Sequence, residues 1–141
     1  MVVTLGFVKA TFLIRLKRLF KIKDFNKITD NIYLGSKFYI PENMVEISVC
    51  FLNEGGYIPA IILDIIVEWI AKNVELNNKV YVHCIWGRGR SPLVVMSYLA
   101  KYLKMTPDEA KRFVKARRSA VWLTDDQEDS LDDYYKWLEN K

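Results

Sequence analysis

The sequence is poor in histidine, cysteine and proline, with one, two and four of them in 141 residues. Two cysteines, Cys50 and Cys84, are too few for a disulfide-rich secreted scaffold, and they favour a reducing compartment such as the cytoplasm. With His83 as the single histidine, the usual Cys/His zinc site cannot be assembled, so we expect no metal and no cofactor. Charges interrupt every apolar stretch before it reaches the roughly 18 residues of a membrane span.

Apolar residues make up 51% and aromatic residues 13% of the chain, which is typical of one folded domain. The formal charge of +4 is concentrated at the start, since residues 1–24 carry six basic residues against Asp24. Their apolar and basic residues alternate as in an amphipathic helix, which either packs on the domain or contacts an anionic membrane. We expect a monomer that does not bind nucleic acid.

The middle of the sequence predicts a βαβ unit. Residues 31–34 indicate a strand closed by Gly35, and residues 46–52 indicate a buried strand. An almost continuously apolar stretch, 59–74, predicts a buried helix, and 79–83 predicts a second core strand. We therefore expect an α/β fold, with a small, largely parallel central sheet flanked by helices on both faces.

The last third of the sequence predicts three helices. Ser91 with Pro92 is suited to cap and begin the first, which runs through Lys104. Thr106 and Thr124 each begin a capping box, because Glu109 and Gln127 follow three residues later.

The segment with the clearest chemistry is HCIWGRGRS, residues 83–91, which lies between the second core strand and a helix. Such a loop can point successive backbone N–H groups inward, and the helix dipole adds positive potential. Gly87 and Gly89 allow the curl, and Arg90 offers a bidentate fork for phosphate oxygens. Cys84 at the floor of this anion cradle is expected to be a thiolate nucleophile, which indicates phosphoryl transfer.

This run resembles the signature of the cysteine-dependent protein tyrosine phosphatases, in which His-Cys, five residues, Arg and then Ser or Thr form the phosphate loop. The stretch DNIYLGS, residues 30–36, is similar to the opening strand of the small dual-specificity branch. Residues 91–118 resemble the helices that follow the signature. The resemblance implies a phosphatase domain over residues 25–141, preceded by an N-terminal extension of residues 1–24.

The resemblance also implies a function, hydrolysis of phosphotyrosine and of phosphoserine or phosphothreonine in proteins, through a phosphocysteine. It makes Cys84 the nucleophile and Arg90 the phosphate clamp, while Ser91 donates a hydrogen bond to the Cys84 sulfur. His83 helps to hold the shape of the loop. The expected substrate-binding positions, which bind largely through their amides, are Ile85, Trp86, Gly87, Arg88 and Gly89.

The general acid is the open position, since related enzymes carry an Asp about thirty residues before the nucleophile. That count reaches Glu54 here, so a Glu is expected to replace the Asp. Asp125 and Asp126 at a helix start are the alternatives, and Asp64 is expected to be solvated in a polar stripe. The interval from Gly35 to Cys84 is also short, which leaves open that the acid loop is absent.

Three further alternatives concern substrate and regulation. Arg88 occupies a position that is often basic in phospholipid phosphatases, whereas Trp86 is suited to stack on a phosphotyrosine ring. Without an acid, the protein would be a pseudophosphatase that binds phosphoproteins. Cys50 is either a buried inert thiol or the partner of Cys84 in a protective disulfide.

Overall fold

A computed structural model describes residues 23–141, so the predicted helix of residues 1–24 falls almost wholly outside the described part of the chain. No helix in residues 23–141 combines the length and hydropathy needed to cross a bilayer. The strands are β1 (Phe25–Lys27), β2 (Ile32–Ser36), β3 (Val45–Ser48) and β4 (Val80–Cys84). The helices are α1 (Ala60–Glu75), α2 (Arg90–Tyr102), α3 (Pro107–Arg117) and α4 (Asp125–Glu139).

The sheet has the order β1-β2-β4-β3, in which β2 and β3 run parallel to β4 and β1 runs antiparallel to β2. The predicted α/β class, with a small and largely parallel sheet, is confirmed. Because β2, β3 and β4 are parallel, their C-terminal ends meet at one edge of the sheet. The chain leaves β4 at this edge and enters α2, which packs against the other three helices and against β2 and β4.

Alternation along the strands places one apolar set of side chains on the same face of the sheet. Ile32, Leu34, Val80 and Val82 are fully buried and lie on one face, since they alternate with Tyr33, Tyr81 and His83. Burying a side chain of this size stabilises the fold by about 1.5–3 kcal/mol. This apolar layer holds β4, and with it the residues that follow β4, in a fixed position.

The third strand is shorter than predicted. The sequence indicated residues 46–52, but β3 ends at Ser48. After Val49, which still donates to the His83 carbonyl over 2.8 Å, the chain turns and presents the Cys50 and Leu52 carbonyls to Arg90. The strand pattern stops early because a distant side chain, and not a neighbouring strand, binds these carbonyls.

Gly35 lies inside β2 and does not close it, so the predicted role was wrong. A Cβ at this position would overlap the Asp24 carbonyl oxygen and the Tyr81 hydroxyl. Glycine is therefore required here by the close approach of β1 and β4.

Helix α1 lies within one residue of the predicted stretch, but one position of its polar stripe is not solvated as expected. Asp64, which we expected to be solvated, is only 8% exposed and accepts hydrogen bonds from Tyr134 and Lys101, each over 2.7 Å. The nearly unbroken apolar run concealed which face is buried, because apolar residues occur all around the helix. Its outer face carries exposed apolar side chains, namely Ile61, Ile62, Ile65 and Trp69.

The helix starts follow the predictions in two cases out of three. Thr106 and Thr124 form complete capping boxes at α3 and α4, as predicted. Helix α2 instead has Gly89 at its N-cap, with no side-chain hydrogen bond, so Ser91 does not cap it. The Ser91 hydroxyl faces the Cys84 sulfur instead.

Candidate active site

The loop from β4 to α2 curls around the sulfur of Cys84, which is the last residue of β4 and is 3% exposed. The Gly87 amide donates a hydrogen bond to Sγ over 3.2 Å, and the Ser91 hydroxyl lies 3.2 Å from the same atom. Gly87 has φ +67°, and a Cβ there would come within 2.5 Å of the Gly35 carbonyl group. The curl therefore depends on glycine at this position.

The surroundings of Cys84 favour the thiolate. Burial raises the pKa of the Cys84 thiol, but hydrogen bonds from Ser91 and from the Gly87 amide, together with the charge of Arg90, outweigh burial, and the pKa is lowered. A thiolate is the nucleophilic form of cysteine. Cys84 is thus prepared to attack an electrophile that enters from the pocket above it.

Arg90 is held by backbone carbonyls and is only 5% exposed. Its Nη1 donates to the Cys50 carbonyl over 2.7 Å and to the Leu52 carbonyl over 3.2 Å. A guanidinium has five N–H donors, so Nε and Nη2 can still bind a phosphate in bidentate fashion. Cys50 thus contributes its carbonyl to the site, and Cys50 and Cys84 are both free thiols. The protective disulfide stays a prediction.

Arg118, directly after α3, contacts the loop but was not among the site residues expected from the sequence. Its Nε donates to the Gly87 carbonyl over 2.8 Å and its Nη2 to the Trp86 carbonyl over 3.0 Å. Its Nη1 and Nη2 also bind Asn26 and Asp24, so one buried side chain connects the loop to β1. With these carbonyls fixed from outside, the loop amides are free to face the pocket. In the sequence Arg118 simply ends a basic stretch, which is common at a helix C-terminus.

A pocket of about 200 Å³ lies over Cys84 and Arg90. Its lining includes Trp86 and Arg88 from the loop and the exposed Trp122, which precedes α4. The Trp86 ring packs against Phe38 with 5.4 Å between ring centroids. The site therefore has an aromatic rim and a floor suited to an anion. Trp122 gave no signal in the sequence, because its place at the pocket depends on a tertiary contact, the hydrogen bond from its N–H to the Arg88 carbonyl.

The candidate acids differ in their placement. Glu54 is exposed and lines the pocket, whereas Asp125 and Asp126 are exposed in the first turn of α4 and are not among the lining residues. Gln127 is 2% exposed, lines the pocket, and accepts the Thr124 amide in the capping box.

The remaining predicted positions lie around the pocket. Gly89 lines it, while the Gly87 amide reaches the sulfur from within the loop. Ile85 accepts the Lys37 amide on its carbonyl, and His83 is buried behind the loop, with Nδ1 3.1 Å from the Cys84 carbonyl oxygen. Residues 23–141 contain no cluster of three or more Cys, His, Asp or Glu arranged to hold a metal ion.

Two curated relatives align with part of this chain. Phosphatidylglycerophosphate phosphatase PTPMT1 of Arabidopsis thaliana is 41% identical over 69 residues, which are 49% of this chain and 20% of that protein. Tyrosine-protein phosphatase vhp-1 of Caenorhabditis elegans is 29% identical over 121 residues, 67% of this chain and 18% of that protein. The matches therefore cover a fifth or less of either relative.

Solved structures share the fold at low sequence identity. The crystal structure of PTPMT1 in complex with PI(5)P has a TM-score of 0.72 at 18% identity, covering 84% of this chain and 98% of that one. A leucine rich repeat and phosphatase domain containing protein from Entamoeba histolytica has a TM-score of 0.75 at 16% identity, covering 83% and 94%. The family model for the dual specificity phosphatase catalytic domain matches residues 32–137, so this chain belongs to that family of cysteine-dependent phosphatases.

Proposed function

We propose that this protein hydrolyses phosphotyrosine, together with phosphoserine or phosphothreonine, in protein substrates. The observation that carries the proposal is the placement of the Cys84 sulfur, which accepts the Gly87 amide and lies beside the Ser91 hydroxyl below a pocket that Arg90 also lines. Membership of the dual specificity phosphatase family supports phosphatase activity as such.

The first chemical step is an in-line displacement at phosphorus. The Cys84 thiolate forms an S–P bond while the P–O bond to the ester oxygen breaks. The loop amides and Arg90 bind the equatorial oxygens, whose negative charge they stabilise in the transition state. A proton must reach the departing oxygen, which leaves as a phenol or an alcohol.

The second step releases inorganic phosphate. Water attacks the phosphocysteine, the S–P bond breaks, and the sulfur departs as a thiolate that the Ser91 hydroxyl stabilises by hydrogen bonding. Gln127 lines the same pocket with a buried side chain, which makes it suited to orient this water.

Glu54 is the proposed general acid. Its support is its position, because it lines the pocket above Cys84 whereas the two aspartates at the start of α4 do not. It lies in the loop that runs from β3 to α1, where the chain also passes the carbonyls that hold Arg90.

The rim favours an aromatic phosphate ester over an alkyl one. Trp86 and Trp122 line the pocket, and a phosphotyrosine ring between them would gain stacking of about 0.5–1.5 kcal/mol per aromatic contact. Phosphotyrosine is therefore the first candidate among the protein substrates.

Phospholipid phosphate is the second candidate. Arg88 is exposed at the pocket and can attract an anionic headgroup. The relative in Arabidopsis thaliana carries the name phosphatidylglycerophosphate phosphatase, and a structural neighbour was solved with PI(5)P. A pseudophosphatase is disfavoured, because Glu54 lines the pocket as a candidate acid beside Cys84 and Arg90.

A leaving-group series tests the acid. Glu54→Gln is expected to leave hydrolysis of p-nitrophenyl phosphate nearly unchanged, because p-nitrophenolate departs without a proton, and to slow phosphoserine peptides about 100-fold or more. Glu75→Gln, an exposed glutamate at the end of α1, is the matched control. An equal effect of Glu54→Gln on both substrates would remove Glu54 from this role.

A competition assay tests the substrate class. Cys84→Ser retains the loop amides and Arg90, so the variant is expected to bind phosphotyrosyl peptides without turning them over. We expect the Cys84→Ser variant to stay bound to immobilised phosphotyrosyl peptide when vesicles containing phosphatidylinositol 5-phosphate are added. Preferential binding to the vesicles would replace the protein substrate with the phospholipid one.

A further inference from the structure

His83 is the only histidine of the chain, and both of its ring nitrogens face acceptors. Nε2 lies 2.7 Å from a carboxylate oxygen of Glu46, and Nδ1 lies 3.1 Å from the backbone carbonyl oxygen of Cys84. Neither a carboxylate nor a carbonyl can donate a hydrogen bond. A neutral imidazole has a single N–H and could satisfy one of these partners, whereas the imidazolium satisfies both.

Glu46 is the charged group that faces the ring. It extends from β3, while Tyr81 of β4 stacks on the imidazole with 5.5 Å between ring centroids. The Tyr81 hydroxyl donates to the Ser36 carbonyl, so it does not supply a charge to the ring. Asp24 and Arg118, which influence Tyr81, form an ion pair with each other at 3.1 Å. The position opposite His83 in β2 is Gly35, which carries no side chain.

The carbonyl that His83 binds belongs to the first peptide group of the phosphate loop. This peptide is trans and planar, so its C=O and its N–H point in opposite directions. When His83 holds the Cys84 carbonyl behind the loop, it also fixes the direction of the Ile85 N–H. That amide is one of the donors that the proposed mechanism assigns to phosphate.

We infer that Glu46 is a positioning residue, which keeps His83 as an imidazolium and thereby orients the peptide between Cys84 and Ile85 for phosphate binding. The chain of contacts runs from Glu46 Oε1 to His83 Nε2, and from His83 Nδ1 to the Cys84 carbonyl. The inference rests on the proposed function for its catalytic meaning, but the protonation and phosphate binding can be measured without turnover.

NMR of the single imidazole tests the protonation. In ¹⁵N-labelled protein at pH 7, we expect both ring nitrogens of His83 to carry protons. In Glu46→Gln the side-chain carbonyl can still accept from Nε2, but the carboxylate charge is gone, so we expect one protonated and one unprotonated nitrogen. Glu42→Gln, an exposed glutamate in the turn before β3, should keep the wild-type pattern. A neutral imidazole in the wild-type protein would overturn the inference.

Binding of inorganic phosphate tests the consequence. We expect Glu46→Gln to raise the dissociation constant of phosphate about fivefold, since one hydrogen bond of the loop is misdirected. The Glu42→Gln control should bind phosphate as the wild type does. Unchanged phosphate binding in a folded Glu46→Gln variant would contradict the inference.

The pH profile separates this role from a merely structural one. Loss of the carboxylate should move the alkaline limb of phosphate binding to lower pH, because the proposed imidazolium then has no anionic partner. A destabilised fold would weaken binding at every pH alike, and this outcome would count against the inference. If no phosphate ester is turned over, the proposed function fails, while the NMR and phosphate titrations still decide the role of Glu46.

Discussion

Replacing Ser91 by Ala removes one hydroxyl from the nucleophile without altering the loop backbone. Ser91 is fully buried, and its Oγ lies 3.2 Å from the Cys84 sulfur. Its hydrogen bond is among the groups that lower the pKa of Cys84 against burial, which raises it. The variant should therefore hold the proton on sulfur more tightly and have less thiolate at any pH below neutrality.

The size of the effect follows from the strength of a charged hydrogen bond. Such a bond contributes about 1.5–3 kcal/mol, which corresponds to a thiolate fraction about 10- to 150-fold smaller at acidic pH. A more basic thiolate is also more nucleophilic, which offsets roughly half of this on a logarithmic scale. We therefore expect alkylation of Cys84 by iodoacetamide at pH 5 to slow about 3- to 12-fold.

The assay needs mass spectrometry of the peptide that contains Cys84, because Cys50 is also a free thiol. Ser97→Ala is the matched control, since Ser97 is a fully buried serine of α2 that donates to the Leu93 carbonyl. Equal alkylation rates in the two variants would refute the idea that Ser91 stabilises the thiolate.

Three other variants test the support of the loop and of the fold. Arg118→Ala should lower kcat/KM about 10- to 100-fold, because two loop carbonyls lose a charged donor. Arg117→Ala, at an exposed position, should leave kcat/KM unchanged, and equal kcat/KM values in the two variants would contradict the role of Arg118. Gly55→Ala should lower the free energy of unfolding in urea by about 1–2 kcal/mol, the cost of a left-handed residue, because a Cβ there meets only one methyl group at 3.5 Å. Gly87→Ala should lower it by well over that amount, because a Cβ there also overlaps the Gly35 backbone. Asp64→Asn should cost about 1–3 kcal/mol at pH 7. Burial raises the pKa of Asp64, but its hydrogen bonds outweigh burial and lower the pKa overall. The stabilisation is therefore present above the pKa of the unfolded state and is lost as the pH falls through the pKa of the folded state. A stability difference between wild type and variant that stayed constant down to pH 2 would disprove the assignment.

The sequence predicted those features that depend on neighbouring residues. The loop of residues 83–91 has its turn, its glycines and its helix start within nine positions, so its curl could be anticipated. The capping boxes at Thr106 and Thr124 were predictable for the same reason, because each joins residues three apart.

Features that depend on distant partners were not predictable. Arg118 binds the Gly87 carbonyl 31 residues away, and Glu46 binds His83 37 residues away. The burial of Asp64 in α1 has the same origin, because it depends on Tyr134, which lies 70 residues further along. The three-residue strand β1 is too short to show a periodic pattern.

The most direct test of the phosphatase mechanism is to trap its covalent intermediate. After rapid acid quenching of the reaction with p-nitrophenyl phosphate, mass spectrometry should locate a phosphoryl group on Cys84. This phosphoryl group should be absent from the Cys84→Ser variant, which should also be inactive. Turnover by Cys84→Ser, or a phosphoryl group on another residue of the wild-type protein, would contradict the account.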